Sequence, residues 1–335
     1  MSKARGLADL GNVYDDGALS NRNLLINSAM QVAQRGTSFT ADNIYTLDRW
    51  SSGDGTGGTP ARTLSQETFT LGQTDVPNAH YYLRHNQTAA STNGNSSLVQ
   101  KIEDITRFDG QTITLSFYAK ADAAMDIDVR LIQDFGTGGS PSSDVTLTET
   151  VSIGTSWTRY TVTKTLGSLS GKTLGSDGVH TSFLSLNIEF QPTSTFTFDA
   201  TLFQLEYGDT ATPFEHPRSY GDELARCQRY YYRIDGGAAA FCRASTSALF
   251  NTTTSIRAVF QHPVYMRAVP TLGYTAMNTF DIEPFDQAPS NFVSNTGTIR
   301  QSEISVTSPT ARTVGFAAAL TVDDANGYIE WDAEL

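Results

Sequence analysis

Apolar and polar residues alternate one by one along several stretches of this chain. The clearest stretches are Ile113–Ala119 and Met125–Leu131, in which every second residue is apolar. Because successive side chains of a β-strand point to opposite faces, this period of two predicts strands with one face on a core and one in water. Only 17% of the residues are charged, which further favours strands joined by turns over helices.

The strand pattern begins at Leu24–Ile26 and returns along most of the chain, with turn residues in between. We predict an all-β fold in which a jelly-roll β-sandwich is followed by a second β-sandwich tip domain. A short linking helix is expected near residues 222–230, after a break stiffened by Pro213 and Pro217. A chain of 335 residues suits two or three domains. The predicted divisions are an N-terminal connector, the jelly roll and the tip domain, at residues 1–20, 21–215 and 216–335.

The charge balance excludes several classes of partner. With 23 basic and 35 acidic residues the formal net charge is −12, which repels phosphate backbones, so we expect no nucleic-acid binding. No window of 18 apolar residues and no secretory leader is recognised, so we expect synthesis in the cytoplasm and no membrane insertion. The two cysteines, Cys227 and Cys242, are expected to be reduced thiols, and a bond between them stays an open alternative.

Motifs of catalysis are missing from the sequence. It has no nucleophile elbow, no phosphate-binding loop and no His-Glu-x-x-His zinc motif. Asp126 and Asp128 share one face of a predicted strand and could act as the acid and base of a glycosidase. A solvated outer face opposite Ile127 and Val129 explains the same pair, and the alternation favours that interpretation. We therefore expect no enzymatic activity.

Asp199 is the candidate metal ligand in this sequence. It precedes the predicted strand Thr201–Leu205 and could offer hard oxygen ligands together with backbone carbonyls, which suits calcium. The alternative is an ordinary aspartate at a strand end, and we favour this alternative. Calcium is therefore the cofactor that the sequence leaves open, and no other cofactor is expected.

A run of three rings marks the junction between the predicted helix and the next strand. Tyr230, Tyr231 and Tyr232 stand between Arg229 and Arg233. Exposed rings and arginines are common in glycan recognition, which makes Tyr230, Tyr232, Arg229 and Arg233 candidate glycan-binding residues. The alternative is a packed junction with Tyr231 in the core and the other rings at a subunit contact, and the pattern favours this alternative.

Several segments resemble, in order along the chain, segments of bacteriophage tail fibres and related receptor-binding virion proteins. They are Asn23–Gly36, Tyr45–Trp50, Phe203–Glu215 with the following Glu223–Tyr230, and the distal pair His262–Thr271 and Gly327–Leu335. The resemblance implies a carbohydrate-binding-like jelly roll over about residues 21–215. It also implies a homotrimer located in the virion.

The function implied by this resemblance is that of a virion structural protein. A homotrimeric tail fibre would bind host surface glycan during adsorption, and residues 1–20 would attach it to other tail, baseplate or capsid proteins. A capsid (head) fibre or decoration protein is the alternative location. A glycan depolymerase, motivated by the carboxylate pairs, is the alternative from a different class.

Overall fold

The computed structural model describes residues 22–54, 61–90, 96–177, 181–190, 194–217, 219–237 and 241–335. The all-β prediction is confirmed, because the strands in these ranges form four antiparallel sheets. The chain divides into two compact units, one ending at Glu223 and the other spanning Leu224–Glu334. The predicted connector at residues 1–20 lies outside the described residues, and the predicted boundary at 215 and 216 stays a prediction.

The first unit is built from eleven strands among the residues described. They are β1 (Ser38–Phe39), β2 (Ser51–Asp54), β3 (Arg62–Thr68), β4 (Tyr81–Gln87), β5 (Ser96–Glu103), β6 (Thr112–Ala121), β7 (Met125–Asp134), β8 (Val145–Ile153), β9 (Thr158–Thr165), β10 (Phe183–Phe190) and β11 (Phe196–Tyr207). One sheet has the order β1-β3-β4-β11-β6-β9 and the other the order β2-β5-β10-β7-β8. Apolar side chains of both sheets meet in one core, so the unit is a β-sandwich.

Strand β7 shows the predicted alternation. Ile127, Val129 and Leu131 are at most 1% exposed, while the residues between them are more accessible. Burying such aliphatic side chains contributes about 1.5–3 kcal/mol each relative to leaving them in water. The period of two therefore selects which face of this sheet packs on the core.

The alternation fails on β6, where Thr114 and Ser116 are buried although the pattern predicts contact with water. The Thr114 hydroxyl donates to the carbonyl of Gly208 at 2.8 Å, and the Ser116 hydroxyl accepts from Arg159 Nη2 at 3.0 Å. Arg159 also donates to the carbonyl of Thr212. The carbonyl of Gly208, which follows β11, thus satisfies the Thr114 hydroxyl, and Arg159 of β9 satisfies the Ser116 hydroxyl.

The segment Leu24–Ile26, predicted to be a strand, is irregular. Side-chain amides, in place of a neighbouring strand, make hydrogen bonds to several of its backbone N–H and C=O groups. The Leu25 N–H donates to Asn23 Oδ1 at 3.1 Å, and the Gln100 amide bonds both the N–H and the carbonyl of Ile26 at 2.8 and 2.9 Å. Such local side-chain bonds compete with ladder hydrogen bonds, and here they hold a buried loop in place.

Three of the segments that carry the sequence resemblance meet around Asn27. Its side-chain amide donates to the carbonyls of Val32 and Asp48, and Trp50 Nε1 donates to the Asn27 carbonyl at 3.1 Å. The Trp50 ring packs against Phe203 with 4.9 Å between centroids. Residues that are far apart in the sequence therefore form one buried cluster.

The second unit contains nine strands among its described residues. They are β12 (Tyr231–Asp235), β13 (Cys242–Phe250), β14 (Ser255–Gln261), β15 (Thr271–Tyr274), β16 (Phe280–Glu283), β17 (Asn291–Gly297), β18 (Gln301–Thr307), β19 (Ala317–Val322) and β20 (Tyr328–Asp332). A three-stranded sheet of order β12-β20-β15 and a six-stranded sheet of order β16-β19-β13-β14-β18-β17 share one apolar core, which includes Trp331. This is the second sandwich that the sequence predicts.

Helix α1 spans Tyr220–Gln228, beginning before the predicted range. Ser219 caps it, since its Oγ accepts from the Asp222 N–H at 3.1 Å and donates to the Asp222 carboxylate at 2.9 Å.

Cys227 of α1 and Cys242 of β13 form no disulfide. Short 3₁₀ turns cover Ile105–Phe108 and Met277–Thr279. Within the described ranges, no helix has the length and apolar character needed to cross a bilayer.

A fully buried histidine lies on the core side of β4. His85 Nε2 is 2.9 Å from Ser96 Oγ, and its ring lies 4.5 Å from Phe190 and 5.4 Å from Phe196 between centroids. Burial, assisted by the nearby charge of Arg62, lowers the pKa of His85 from 6.5 to about 3. The sandwich therefore holds this imidazole in its neutral form.

We predict that His85 makes the first unit less stable as the pH falls below about 6.5. Below pH 6.5 the unfolded chain binds a proton at His85, whereas the folded chain does not. The contribution of His85 to the free energy of unfolding is therefore complete above the unfolded pKa and is lost as the pH falls from there towards 3. The slope from this group approaches about 1.4 kcal/mol per pH unit. Urea unfolding of the wild type and of His85→Gln between pH 7 and about pH 4 measures it.

The exposed His80 supplies the matched control, as His80→Gln removes a histidine without touching the core. We expect the free energy of unfolding to depend less steeply on pH in His85→Gln than in the wild type or in His80→Gln. Parallel pH profiles for all three proteins would contradict the buried, neutral state of His85.

Candidate functional site

The outer face of the six-stranded sheet in the first unit carries the most concentrated group of aromatic and charged side chains described here. On β4, Leu83 and His85 are buried in the core, so Tyr82 and Arg84 lie on the opposite side. The strand register places Asp199 of β11 beside Arg84 on one side and beside Lys120 of β6 on the other. Three neighbouring strands thus bring these residues together in one row.

Arg84, Asp199 and Lys120 form what we call the charged cluster. Arg84 Nε and Nη2 donate to the two carboxylate oxygens of Asp199 at 2.8 and 2.9 Å, and Lys120 Nζ lies 3.8 Å from Oδ2. The Asp199 side chain is 4% exposed, whereas those of Arg84 and Lys120 are 35% and 34% exposed. The hydrogen bonds from Arg84 to Asp199 raise the pKa of Arg84. A two-pronged pair of this kind is both strong and fixed in direction.

Three rings lie beside the charged cluster, and we call Phe69, Tyr82 and Trp157 the aromatic cluster. Their centroids are 4.8 Å apart for Phe69 and Tyr82, 5.2 Å for Phe69 and Trp157, and 5.5 Å for Tyr82 and Trp157. All three are partly exposed. Aromatic pairs at these separations stabilise one another, so the rings hold their positions before any ligand arrives.

Cation–π contacts join the two clusters. Lys120 Nζ lies 5.4 Å from the Trp157 ring centre, and the Arg84 guanidinium lies 5.6 Å from the ring centre of Tyr82. Arg84 Nη2 also donates to the Tyr82 hydroxyl at 3.3 Å. Burial, and then the negative charge of Asp199, raise the pKa of Tyr82, so its hydroxyl stays protonated and able to donate. The combined surface offers ring faces, N–H donors and a hydroxyl group.

The structure gives Asp199 a role other than the predicted calcium ligand. Both of its oxygens accept from Arg84, so the carboxylate is neutralised by arginine and directed at that side chain. Within the part of the chain that the structure describes, no group of three or more His, Cys, Asp or Glu side chains is arranged to hold a metal ion. The observed geometry is that of an ion pair with arginine, and Asp199 lies inside β11, not at the strand end that the alternative interpretation assumes.

The aromatic run of the second unit is mostly packed. Tyr230 and Tyr231 are 4% and 1% exposed, and Tyr232 stacks on Trp331 at 5.5 Å between centroids. Tyr231 is therefore a core residue, as the packing alternative predicts, and Tyr230 offers no free ring face to a sugar.

The remaining candidates of that run are accessible in part. The Arg229 guanidinium lies 5.8 Å from the Tyr230 ring centre, and that of Arg233 lies 3.9 Å from the Tyr328 ring centre. Tyr232 lines a pocket of about 330 Å³ together with Ser245, Ser247 and Gln261. Glycan binding by Arg229, Tyr232 and Arg233 stays a prediction, but with Tyr230 buried the four residues do not form one exposed platform.

Asp126 and Asp128 lie on the outward side of β7, as the alternation predicts. Asp126 accepts from the Ser152 hydroxyl at 2.6 Å, and Asp128 accepts from the Thr150 hydroxyl at 2.7 Å. Both partners come from the neighbouring strand β8. Cross-strand hydrogen bonds therefore engage the carboxylate pair that motivated the glycosidase alternative.

No sequence pattern predicts the aromatic cluster, whose members Phe69 and Trp157 also pack on the small buried group of Val76, Ala79 and Leu202. The available signal was weak. Tyr82 and Arg84 alternate with Leu83 and His85, which marks an outward face but does not say what else lies on it.

Comparison with known proteins identifies likenesses of fold. No family model matches the sequence, and no curated protein matches it. The chain is similar to the enzymatically active domain of bacteriophage CBA120 tailspike protein 4, with 11% identity and a TM-score of 0.36. That match covers 56% of this chain and 22% of the tailspike chain, so this chain spans about a fifth of the tailspike structure.

Sugar-binding modules are also among the similar structures. A candidate sugar binding protein from Bacteroides thetaiotaomicron matches with 13% identity and a TM-score of 0.36, covering 56% of this chain and 100% of the other. A family 11 carbohydrate-binding module of a Clostridium thermocellum cellulosomal cellulase matches with 16% identity and a TM-score of 0.32, covering 53% and 98%. Likeness at this level assigns no role to any residue of the outer sheet face.

Proposed function

We propose that this protein binds a surface glycan of a bacterial host through the aromatic cluster and the charged cluster. The observation that carries the proposal is the juxtaposition of three partly exposed rings with the ion-paired Arg84 and Lys120 on one sheet face. Rings such as Trp157 and Tyr82 present apolar faces on which the C–H face of a sugar can pack. The N–H groups of Arg84 and Lys120 supply the donors that orient sugar hydroxyls.

The proposed mechanism is binding without turnover. The buried carboxylate beside the rings, Asp199, has both oxygens engaged by Arg84, so it is not aimed at a ligand bond as a general acid or nucleophile would be. A rigid sheet that holds its rings and donors in place lowers the entropy cost of binding. This is what a recognition surface needs.

We further propose that the protein works as part of a bacteriophage virion, as a homotrimeric tail fibre. The support is the ordered set of segments that resembles such proteins, three of which meet in the buried cluster around Asn27, Trp50 and Phe203. Single glycan sites are weak, and three copies per fibre would raise the overall affinity through effective concentration. A head fibre or decoration protein is the alternative location with the same binding chemistry.

We predict that Trp157→Ala weakens glycan binding at least about tenfold, which corresponds to about 1.4 kcal/mol. The lost ring face removes both stacking area and the Lys120 contact. A glycan array of bacterial surface polysaccharides identifies the ligand, and calorimetry on a positive glycan measures the affinities of wild type and variant.

Two matched variants separate recognition from folding. Trp157→Phe keeps a ring at the site and should retain most of the affinity, whereas Tyr265→Ala removes a 57% exposed ring in the second unit and should change nothing. Trp157→Ala should lower the melting temperature, because its ring packs on Phe69, Tyr82 and a buried apolar group, so circular dichroism must first show that this variant is folded. Trp157→Phe and Tyr265→Ala should unfold close to the wild type. Unchanged glycan affinity in a folded Trp157→Ala protein would contradict the proposed site.

The assembly prediction is a mass three times that of the 36.3 kDa chain at micromolar concentration. Size-exclusion chromatography with light scattering measures it on the full chain. A protein that stays monomeric would count against the trimeric fibre.

Gold-labelled antibodies on intact particles should mark the tail, and labelling of the capsid would instead favour the head-fibre alternative.

A further inference from the structure

The outer face of the six-stranded sheet balances its own charges. Arg84 and Lys120 are its partly exposed cations beside the rings, and Asp199 lies between them at 2.8 and 3.8 Å. Glu67 of β3, a second carboxylate, is paired in register with Tyr82, accepts from Ser65 at 2.7 Å and acts electrostatically on Arg84. Two positive charges therefore face two negative charges.

From this balance we infer that the site selects uncharged glycans over acidic ones, with Asp199 as the residue that sets the selectivity. The inference rests on the proposed glycan-binding function and names its ligand class. An arginine binds a ligand carboxylate best through two parallel N–H groups, and Asp199 already holds the Nε and Nη2 of Arg84 in that way. Lys120 lies closest to the same carboxylate.

A uronate or sialate would have to compete with Asp199 for these donors. Asp199 is 3% exposed, and separating it from Arg84 would leave a buried charge without the two hydrogen bonds that compensate it, which is strongly unfavourable. A third cation, Arg159 of β9, is paired in register with Tyr118 of β6. It donates to Ser116 and Thr212 and does not reach the rings. The net charge of −12 adds a general repulsion of acidic polymers.

A neutral sugar meets none of these costs. Its hydroxyls can accept from the N–H groups of Arg84 and Lys120 that are not bonded to Asp199. They can also donate to or accept from the Tyr82 hydroxyl. Its apolar face packs on the aromatic cluster. Asp199 acts here as a positioning residue, because it holds the two cations in place without touching the ligand.

The test compares one polysaccharide that binds the wild type with the same polymer oxidised at its primary hydroxyls to uronates. We expect the wild type to bind the oxidised form at least about tenfold more weakly. In Asp199→Asn, which keeps the shape and frees the cations, affinity for the oxidised form should rise about tenfold, and 0.5 M NaCl should abolish the gain because salt screens exposed charges.

Matched variants guard against trivial explanations. Asp126→Asn changes the net charge by the same amount on the other sheet and should show no gain. Glu67→Gln removes the second, more accessible carboxylate and should give a smaller gain of the same sign, which keeps the test open if Asp199→Asn does not fold.

The outcomes distinguish the two proposals. If the glycan array yields no polysaccharide that binds the wild type, the glycan-binding function itself fails and the inference fails with it. If the oxidised form binds the wild type as tightly as the neutral form, glycan binding stands and the selectivity is wrong. A folded Asp199→Asn protein with no gain for the oxidised polymer would overturn the role of Asp199.

Discussion

The opposite directions of successive side chains along strands β4 and β6 are the constraint on which both the core and the candidate site depend. One side of these strands buries Leu83, His85 and Leu115 against the facing sheet. The same backbone must then present Tyr82 and Arg84 on its other side. Slipping one strand by a single residue would exchange the two sets, so the apolar core and the candidate site are specified together.

Burial beneath the sheet face also explains why the charged cluster is ordered. Asp199 is almost inaccessible to water, so its charge is tolerated only with partners close by, and Arg84 and Lys120 provide them. Each cation in turn lies near a ring of the aromatic cluster. Electrostatics, ring packing and strand register therefore hold the side chains of both clusters in fixed positions on the sheet face.

The segment around Asn27 shows how a pattern can be recognised in sequence and still be misjudged in structure. Leu24–Ile26 looks like a strand, yet the amides of Asn23 and Gln100 bond its backbone. Period and composition do not report such long-range side-chain bonds. The deviation on β6 has a similar origin, because the carbonyl of Gly208 and the guanidinium of Arg159 bond hydroxyls that the alternation assigns to solvent.

The sequence by itself determined the all-β fold, the succession of two sandwiches with one short helix, and the inward face of strands such as β7, because a period of two is a local property. It did not determine which strands are neighbours. Tyr82, Lys120, Trp157 and Asp199 meet only because β4, β11 and β6 pair side by side, a matter of long-range packing and register. Likewise, only the tertiary structure decided that Tyr230 is covered and that Asp199 holds an arginine, since burial and ion pairing depend on partners distant in the chain.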